Sequence, residues 1–323
     1  MNRPQLAALV LVLSALVAAP RSASSPLAAD LAAALPHDGL LVFGCEEGCG
    51  ESAGLYTIAP DGRRLRFLKE SEGAYEPRWS PDGRAIAFTR EIPPGSLEPD
   101  SRRIWISRSD GSGARILARP SGGAGDSSPA WSPRGDRLAF VRSRPQPGGA
   151  LHTIDVGEHR SRPLLQGKEP FYDPDWSPDG KRIAGWRSEN VTERLWVVGV
   201  DGSDRRRLGP ATLTGRIPRW SPDGSRVAFI DFDEGALRVL DLPRGRVRTL
   251  FSESGEDFGW AHTWSPDGRW LAVARTTLFE CDDPTSQCEK TELWIVNATD
   301  SRKKLVFSSD TIQIDGIDWR RRS

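Results

Sequence analysis

From residue 40 onward the chain alternates between short apolar runs and tight polar turns. Apolar runs of three to five residues, such as Leu40-Leu41-Val42-Phe43 and Ala85-Ile86-Ala87-Phe88, are bounded by Gly, Pro, Asp and Ser. Runs this short with turn chemistry at both ends predict β-strands rather than helices. The pattern also repeats. WSPDGRAIAF begins at Trp79, WSPRGDRLAF at Trp131, WSPDGKRIAG at Trp176, WSPDGSRVAF at Trp220 and WSPDGRWLAV at Trp264, and a truncated copy surrounds Trp319. The steps are roughly 44 to 55 residues, the period of a propeller blade built from four short strands.

Each unit has a physical reading. Ser-Pro-Asp-Gly is a turn in which Pro presets φ and Gly takes the position that needs φ > 0. The Trp before it ends the innermost strand, where a large side chain can wedge between neighbouring blades. The apolar run after it is the second, buried strand. A third strand follows at Ile104-Trp105-Ile106, Leu151-His152-Thr153, Leu195-Trp196-Val197, Leu237-Arg238-Val239 and Leu293-Trp294-Ile295, and a short outer strand comes next. Two long steps are explained by inserts before the third strand, residues 91–102 and the loop around Cys281 and Cys288.

The first unit starts mid-blade. Leu40 to Phe43 matches a second strand, Leu55-Tyr56-Thr57 a third and Leu65-Arg66-Phe67 a fourth. The missing first strand lies at Ile312 to Trp319. Two half-blades would join the ring and remove an exposed strand edge. The expected fold is therefore all-β: a six-bladed β-propeller over residues 39–320, closed by N- and C-terminal strands in one shared blade, with 321–323 as a tail.

The N-terminus reads differently. Arg3 precedes the uncharged apolar run Leu6 to Ala19, and Ser22-Ala23-Ser24 offers a cleavage site. Residues 1–24 are expected to be a secretory signal peptide, and 25–38 a linker. The run is shorter than the roughly 20 residues of a spanning helix, so no stable membrane insertion is expected. Export places the mature chain in the periplasm or outside the cell. There, an even set of cysteines, Cys45, Cys49, Cys281 and Cys288, favours disulfides. The spacings suit local bridges Cys45–Cys49 and Cys281–Cys288, while four cysteines allow three connectivities.

Charge adds little, since Lys+Arg and Asp+Glu both total 44. That balance gives no electrostatic argument for nucleic acid. Twelve Trp against three Tyr fit a repeated structural role for Trp79, Trp131, Trp176, Trp220, Trp264 and Trp319.

The WSPDG-hydrophobic repeat resembles the TolB-type propeller repeat, across about residues 39 to 320. The same repeat occurs in a periplasmic protein of the Tol–Pal envelope system and in the propeller domains of prolyl-oligopeptidase-like peptidases. The resemblance implies a six-bladed ring and, from the family's habits, extended peptides or proteins docking at the channel mouth. This sequence departs from the family by leaving about fifteen residues between the cleavage site and the first strand, where TolB carries an α/β domain. The single G-x-S-x-G match, Gly50 to Gly54, sits in a loop between two blade strands. It lacks the helix that a nucleophile elbow needs.

Candidate chemistry gathers on the innermost strands. His262 stands two residues before Trp264, where other copies have Pro77, Pro129, Pro174 and Pro218. Of the remaining histidines, His152 takes the aromatic position of a third strand and reads as packed, while His37 and His159 lie outside strands. Glu76, Arg78, Asp173, Asp175, Arg219, Asp315 and Asp318 are placed with His262 around the channel mouth. Such carboxylates could hold Ca²⁺ or form a neutralised ring of ion pairs with the arginines. The expectation is a non-catalytic, monomeric module without a cofactor, binding a protein or peptide through Glu76, Arg78, Asp173, Asp175, Arg219, His262 and Asp318. The alternative is a metal-assisted hydrolase or lyase at the same mouth, and the longest inserts, 91–102 and 276–291, are the other places to look for partner contacts.

Overall fold

A computed structural model describes residues 39–45, 53–92, 101–117, 124–143, 149–158, 160–165, 170–189, 192–252, 257–280 and 287–320. The expected signal peptide and linker, Cys49, Cys281, His37, His159 and most of the G-x-S-x-G stretch lie outside these residues. No helix among them is long and apolar enough to cross a membrane.

The described chain forms six four-stranded antiparallel sheets. The second blade shows the plan. Its innermost strand is Ala74–Trp79, followed outward by Ala85–Glu91, Arg102–Arg108 and the two-residue Arg115–Ile116. Four further blades repeat it, with innermost strands Asp126–Trp131, Tyr172–Trp176, Arg216–Trp220 and Asp257–Trp264. The first blade is composite. Asp315–Arg320 pairs with Leu40–Cys45, which continues to Gly54–Ile58 and Arg66–Phe67. Leu41 faces Trp319 and Val42 faces Asp318 in that pairing. The six innermost strands touch one another in cyclic order, and the last one touches the first.

The repeated turn is closed by its own hydrogen bonds in each blade. In the fifth blade the Ser221 backbone N–H donates to the Arg226 carbonyl and the Gly224 N–H to the Ser221 carbonyl. The Ser221 hydroxyl donates to Asp223 at 2.5 Å and accepts from the Arg226 N–H at 2.9 Å. Ser80, Ser177 and Ser265 repeat the hydroxyl-to-carboxylate bond with Asp82, Asp179 and Asp267. In the third blade Arg134 replaces that Asp, and Ser132 donates instead to Asp136 at 2.7 Å. The serine bonds hold the carboxyls of Asp82, Asp136, Asp179 and Asp223 below the usual range, Asp223 at about 2.

Successive turns also stack round the ring. A Cβ on Gly180 would meet Pro133 at 3.3 Å, one on Gly224 would meet Pro178 at 3.7 Å, and one on Gly268 would meet Pro222 at 3.4 Å. Beneath this collar the second-strand apolar runs are fully buried, as Ile86, Ala87 and Phe88 show. The core lies in layers between blades. Trp264, for example, packs with Ala228, Ile230 and Leu237 of the preceding blade and with Leu271 of its own. Its indole donates to the Arg219 carbonyl of that preceding blade at 3.0 Å, and Trp131 does the same to Arg78. The tryptophans thus wedge between blades as the repeat implied. Trp79, Trp176, Trp264 and Trp319 are buried, and Trp131 and Trp220 are partly so.

Candidate functional site in the central channel

Five innermost strands share a distortion that the repeat does not advertise. The residue three places before the Trp has positive φ: Glu76 (50°), Ser128 (55°), Asp173 (48°), Ile217 (53°) and Gly316 (73°). The ladder shifts by one residue at each of these points. These are β-bulges, and in four of them the following residue is Pro, which has no N–H to leave unpaired. A non-Gly residue here costs roughly 1–2 kcal/mol, so something must hold it.

For Glu76 that something is visible. Its carboxylate accepts from Thr89 Oγ1 at 2.6 Å, from the Ser128 N–H at 2.7 Å and from Ser128 Oγ at 2.9 Å. The second blade is thereby tied to the third. The Asp173 carboxylate accepts from the Trp186 indole at 2.6 Å.

The sixth blade is different. Ala261, His262 and Thr263 pair in unbroken register with Ala274, Val273 and Ala272. His262 therefore stands, unbulged, where four other blades place Pro. It is only 1% exposed. Neither ring nitrogen has a hydrogen-bond partner of good geometry; the Ala228 carbonyl exerts only a weak pull on it. Burial, then the nearby Arg219 charge, push its pKa down to about 3, so the ring is neutral.

One residue nearer the Trp, the six blades present Arg78, Ala130, Asp175, Arg219, Thr263 and Asp318. Arg78 reaches across the ring to Asp175 at 2.5 Å and approaches Asp318 at 3.8 Å. Each Asp also accepts from the backbone N–H of the next blade's Trp: Asp175 from Trp220 at 2.8 Å, Asp318 from Trp79 at 2.7 Å. Thr263 Oγ1 adds a bond to Asp318 at 3.1 Å. Burial raises the Asp318 pKa, against the pull of Arg78 and these donors. Arg78 has its charge favoured by both aspartates, which outweigh its burial.

Arg219 lacks such a partner. Its one described hydrogen bond runs from Nη1 to the Pro218 carbonyl at 3.0 Å, and its buried Nε has none. It is partly exposed, and burial, then repulsion from Arg78, lower its pKa to about 10 against the pull of Asp175, Asp173 and Asp318.

Glu76, Arg78, Ser128, Asp173, Arg219, His262 and Asp315 border one small cavity of about 70 Å³, to which all six blades contribute. The structure thus brings together most of the residues singled out in the sequence. Asp175 and Asp318 sit just behind that lining, as acceptors for Arg78 and for neighbouring backbones. The ion-pair ring is uneven, because Arg78 engages both aspartates and leaves Arg219 outside. No group of three His, Cys, Asp or Glu suited to a metal occurs among the described residues. Sequence reading missed Thr89, Ser128 and Trp186, the donors that fix Glu76 and Asp173. The x-Pro-x-Trp spacing was the available signal for the bulge. His152 packs as expected, half-buried and stacked on Phe140. Cys45, fully buried, and Cys288 are not free thiols.

The TolB beta propeller domain matches residues 149–277. The chain is 28% identical over 209 residues to an uncharacterized protein of Agrobacterium fabrum, covering 61% of this chain and 68% of that protein. It is 36% identical over 76 residues to the Tol-Pal system protein TolB of Thioalkalivibrio sulfidiphilus, covering 22% of this chain and 17% of that one. It is 27% identical over 219 residues to the uncharacterized peptidase YuxL of Bacillus subtilis, covering 64% of this chain but 30% of the peptidase. Among solved structures, TolB from Acinetobacter baumannii superposes with a TM-score of 0.68 at 16% identity, over 90% of this chain and 70% of that one.

Proposed function

We propose that this TolB-like β-propeller is a binding or scaffolding module for a protein or peptide in the periplasm or outside the cell, with the channel mouth as its docking site. One observation carries the reading. Six blades converge on a polar cavity whose charged groups are held in fixed places by bonds between blades. A rigid, prearranged polar surface loses little entropy on binding. The match to a Tol-Pal system protein supports an envelope partner, and the apolar run at residues 6–19 supports export.

The test is to identify a partner by crosslinking in envelope extract, then measure its affinity as a purified protein for the wild type and for Asp173→Asn. Weakened binding in the variant is expected. Equal binding would move the site to the inserts at 91–102 and 276–291, and no partner for a folded bait would remove the reading.

A second reading is a metal-assisted hydrolase or lyase at the same mouth; the similarity to an uncharacterized peptidase, over 30% of that protein, supports enzyme activity in general and not that chemistry. This second reading requires stoichiometric metal in the purified protein and turnover that a chelator abolishes.

A further inference from the structure

The channel is acidic by simple count, yet one of its two arginines has no ion pair among the described residues. Glu76 accepts three bonds, Asp173 accepts one from Trp186, and Asp175 and Asp318 share Arg78 while accepting from Trp220 and Trp79. Arg219, by contrast, faces the same cavity with its buried Nε unpartnered and no carboxylate within ion-pair distance among the described residues. His262 lines the same cavity, 1% exposed; the Ala228 carbonyl is the backbone group that acts on its ring, at a geometry short of a good hydrogen bond. The charges that act on His262 are the two arginines, Arg219 the more strongly, and no carboxylate. Arg219 itself feels Asp175, Asp173 and Asp318, which offset part of its burial and of the repulsion from Arg78.

A buried donor left without an acceptor is costly, and a largely enclosed guanidinium without an ion pair is costlier still. Their persistence on one wall of one cavity implies an acceptor that arrives from outside. The polar cavity beside Arg219 has a volume of about 70 Å³, enough for a single planar anionic group. A guanidinium prefers a carboxylate in that shape, because its fork matches two oxygens.

We infer that Arg219 and His262 form a carboxylate subsite, in which Arg219 pairs with a carboxylate of the docked partner and the neutral His262 donates to it. This rests on the binding reading above and names the group that is bound. The carboxylate comes from a chain terminus or from an acidic side chain. Both present the same chemistry.

The experiment uses the whole mature protein and measures melting temperature and calorimetric binding with sodium acetate replacing sodium chloride at constant ionic strength. Arg219→Gln is the matched variant. The expected result is a saturable rise in Tm with acetate in the wild type and at least a tenfold weaker response in Arg219→Gln. That variant should itself melt no lower than the wild type without acetate, because it removes a largely enclosed charge without an ion pair. N-acetylglycine and N-acetylaspartate N-methylamide then separate a terminal carboxylate from a side-chain one, the tighter of the two naming the source.

The inference is overturned if acetate has no saturable effect on the wild type. It is also overturned if Arg219→Gln responds equally, or if methylammonium or Ca²⁺ stabilises the protein and acetate does not. Should Arg219→Gln fail to fold, His262→Gln with the same acetate series takes its place, with the same tenfold loss expected. A partner protein that binds wild type and Arg219→Gln equally would sink this subsite while leaving the binding function standing. Acetate binding with no protein partner would do the reverse.

Discussion

At the residue scale, His262 gives the channel a measurable titration. Its folded pKa of about 3 lies below the unfolded value of about 6.5. The neutral ring's contribution is thus fully present above pH 6.5 and is lost as pH falls toward 3. The groups that act on it are Arg219 and Arg78, both cationic, so protonation brings a third positive charge into the same space. Stability should fall by about 1.4 kcal/mol per pH unit below 6.5. Urea titrations between pH 7 and 5 should show this slope in the wild type and a flatter one in His262→Leu. The turn aspartates do not enter that window, because their carboxyls are lowered and titrate further into acid. Glu76 offers a second test. Glu76→Gln keeps the side chain's length and leaves the strain at φ 50° unchanged, so a loss of about 1–3 kcal/mol in chemical denaturation measures what the carboxylate's charge adds to the bonds with Ser128 and Thr89. The cysteines give a third, since peptide mapping without reductant should recover 45 joined to 49 and 281 joined to 288.

The element scale is where the sequence was most and least legible. Ser-Pro-Asp-Gly announces itself because Pro and Gly are required by backbone geometry and Ser by two hydrogen bonds. Ser221→Ala should cost about 1 kcal/mol, and Gly224→Ala, at φ 71°, roughly 1–2 kcal/mol. Combined with Ser80→Ala in a distant blade, Ser221→Ala should be additive in equilibrium unfolding. The bulge was only partly legible, because its left-handed position is filled by Glu, Ser, Asp, Ile and Gly in turn and only the Pro that follows in four of the five copies marks it. The contacts that hold it are made in the fold, from the next blade for Glu76 and from the neighbouring strand for Asp173. For the same reason the sequence placed Arg78 and Arg219 as equals. Only the ring geometry decides that Arg78 lies within ion-pair distance of two aspartates while Arg219 feels them at longer range.

For the whole molecule, closure was readable from an offset: a first unit lacking its inner strand and a last unit that is nothing else. The fold follows, because without Asp315–Arg320 the inner edge of Leu40–Cys45 would be left unpaired. Removing residues 312–323 should therefore do more than cut one strand's contacts. The shortened protein is expected to self-associate, which sedimentation at several concentrations would reveal as mass rising with loading; a monomer of unchanged Tm would contradict the closure argument. The same geometry leaves the composite blade without a Trp-Ser-Pro-Asp-Gly turn. There Arg320 substitutes, donating to the Gly83 carbonyl at 2.6 Å and lying 4.2 Å over the Trp79 ring.

The composite blade also sets how the ring responds to being pulled. Leu40 is directly opposite Arg320, and the pairing runs inward from there to Gly44 and Asp315. Both described ends of the propeller thus leave from the same end of one ladder. Tension applied between those ends loads the bonds one pair at a time, as a zip opens, instead of all together. A propeller tethered by its two ends should open at low force from this blade, whereas one gripped through two opposite blades should hold. Force spectroscopy with handles at either pair of positions would separate the two, and the weaker direction is the one along which the chain itself was joined.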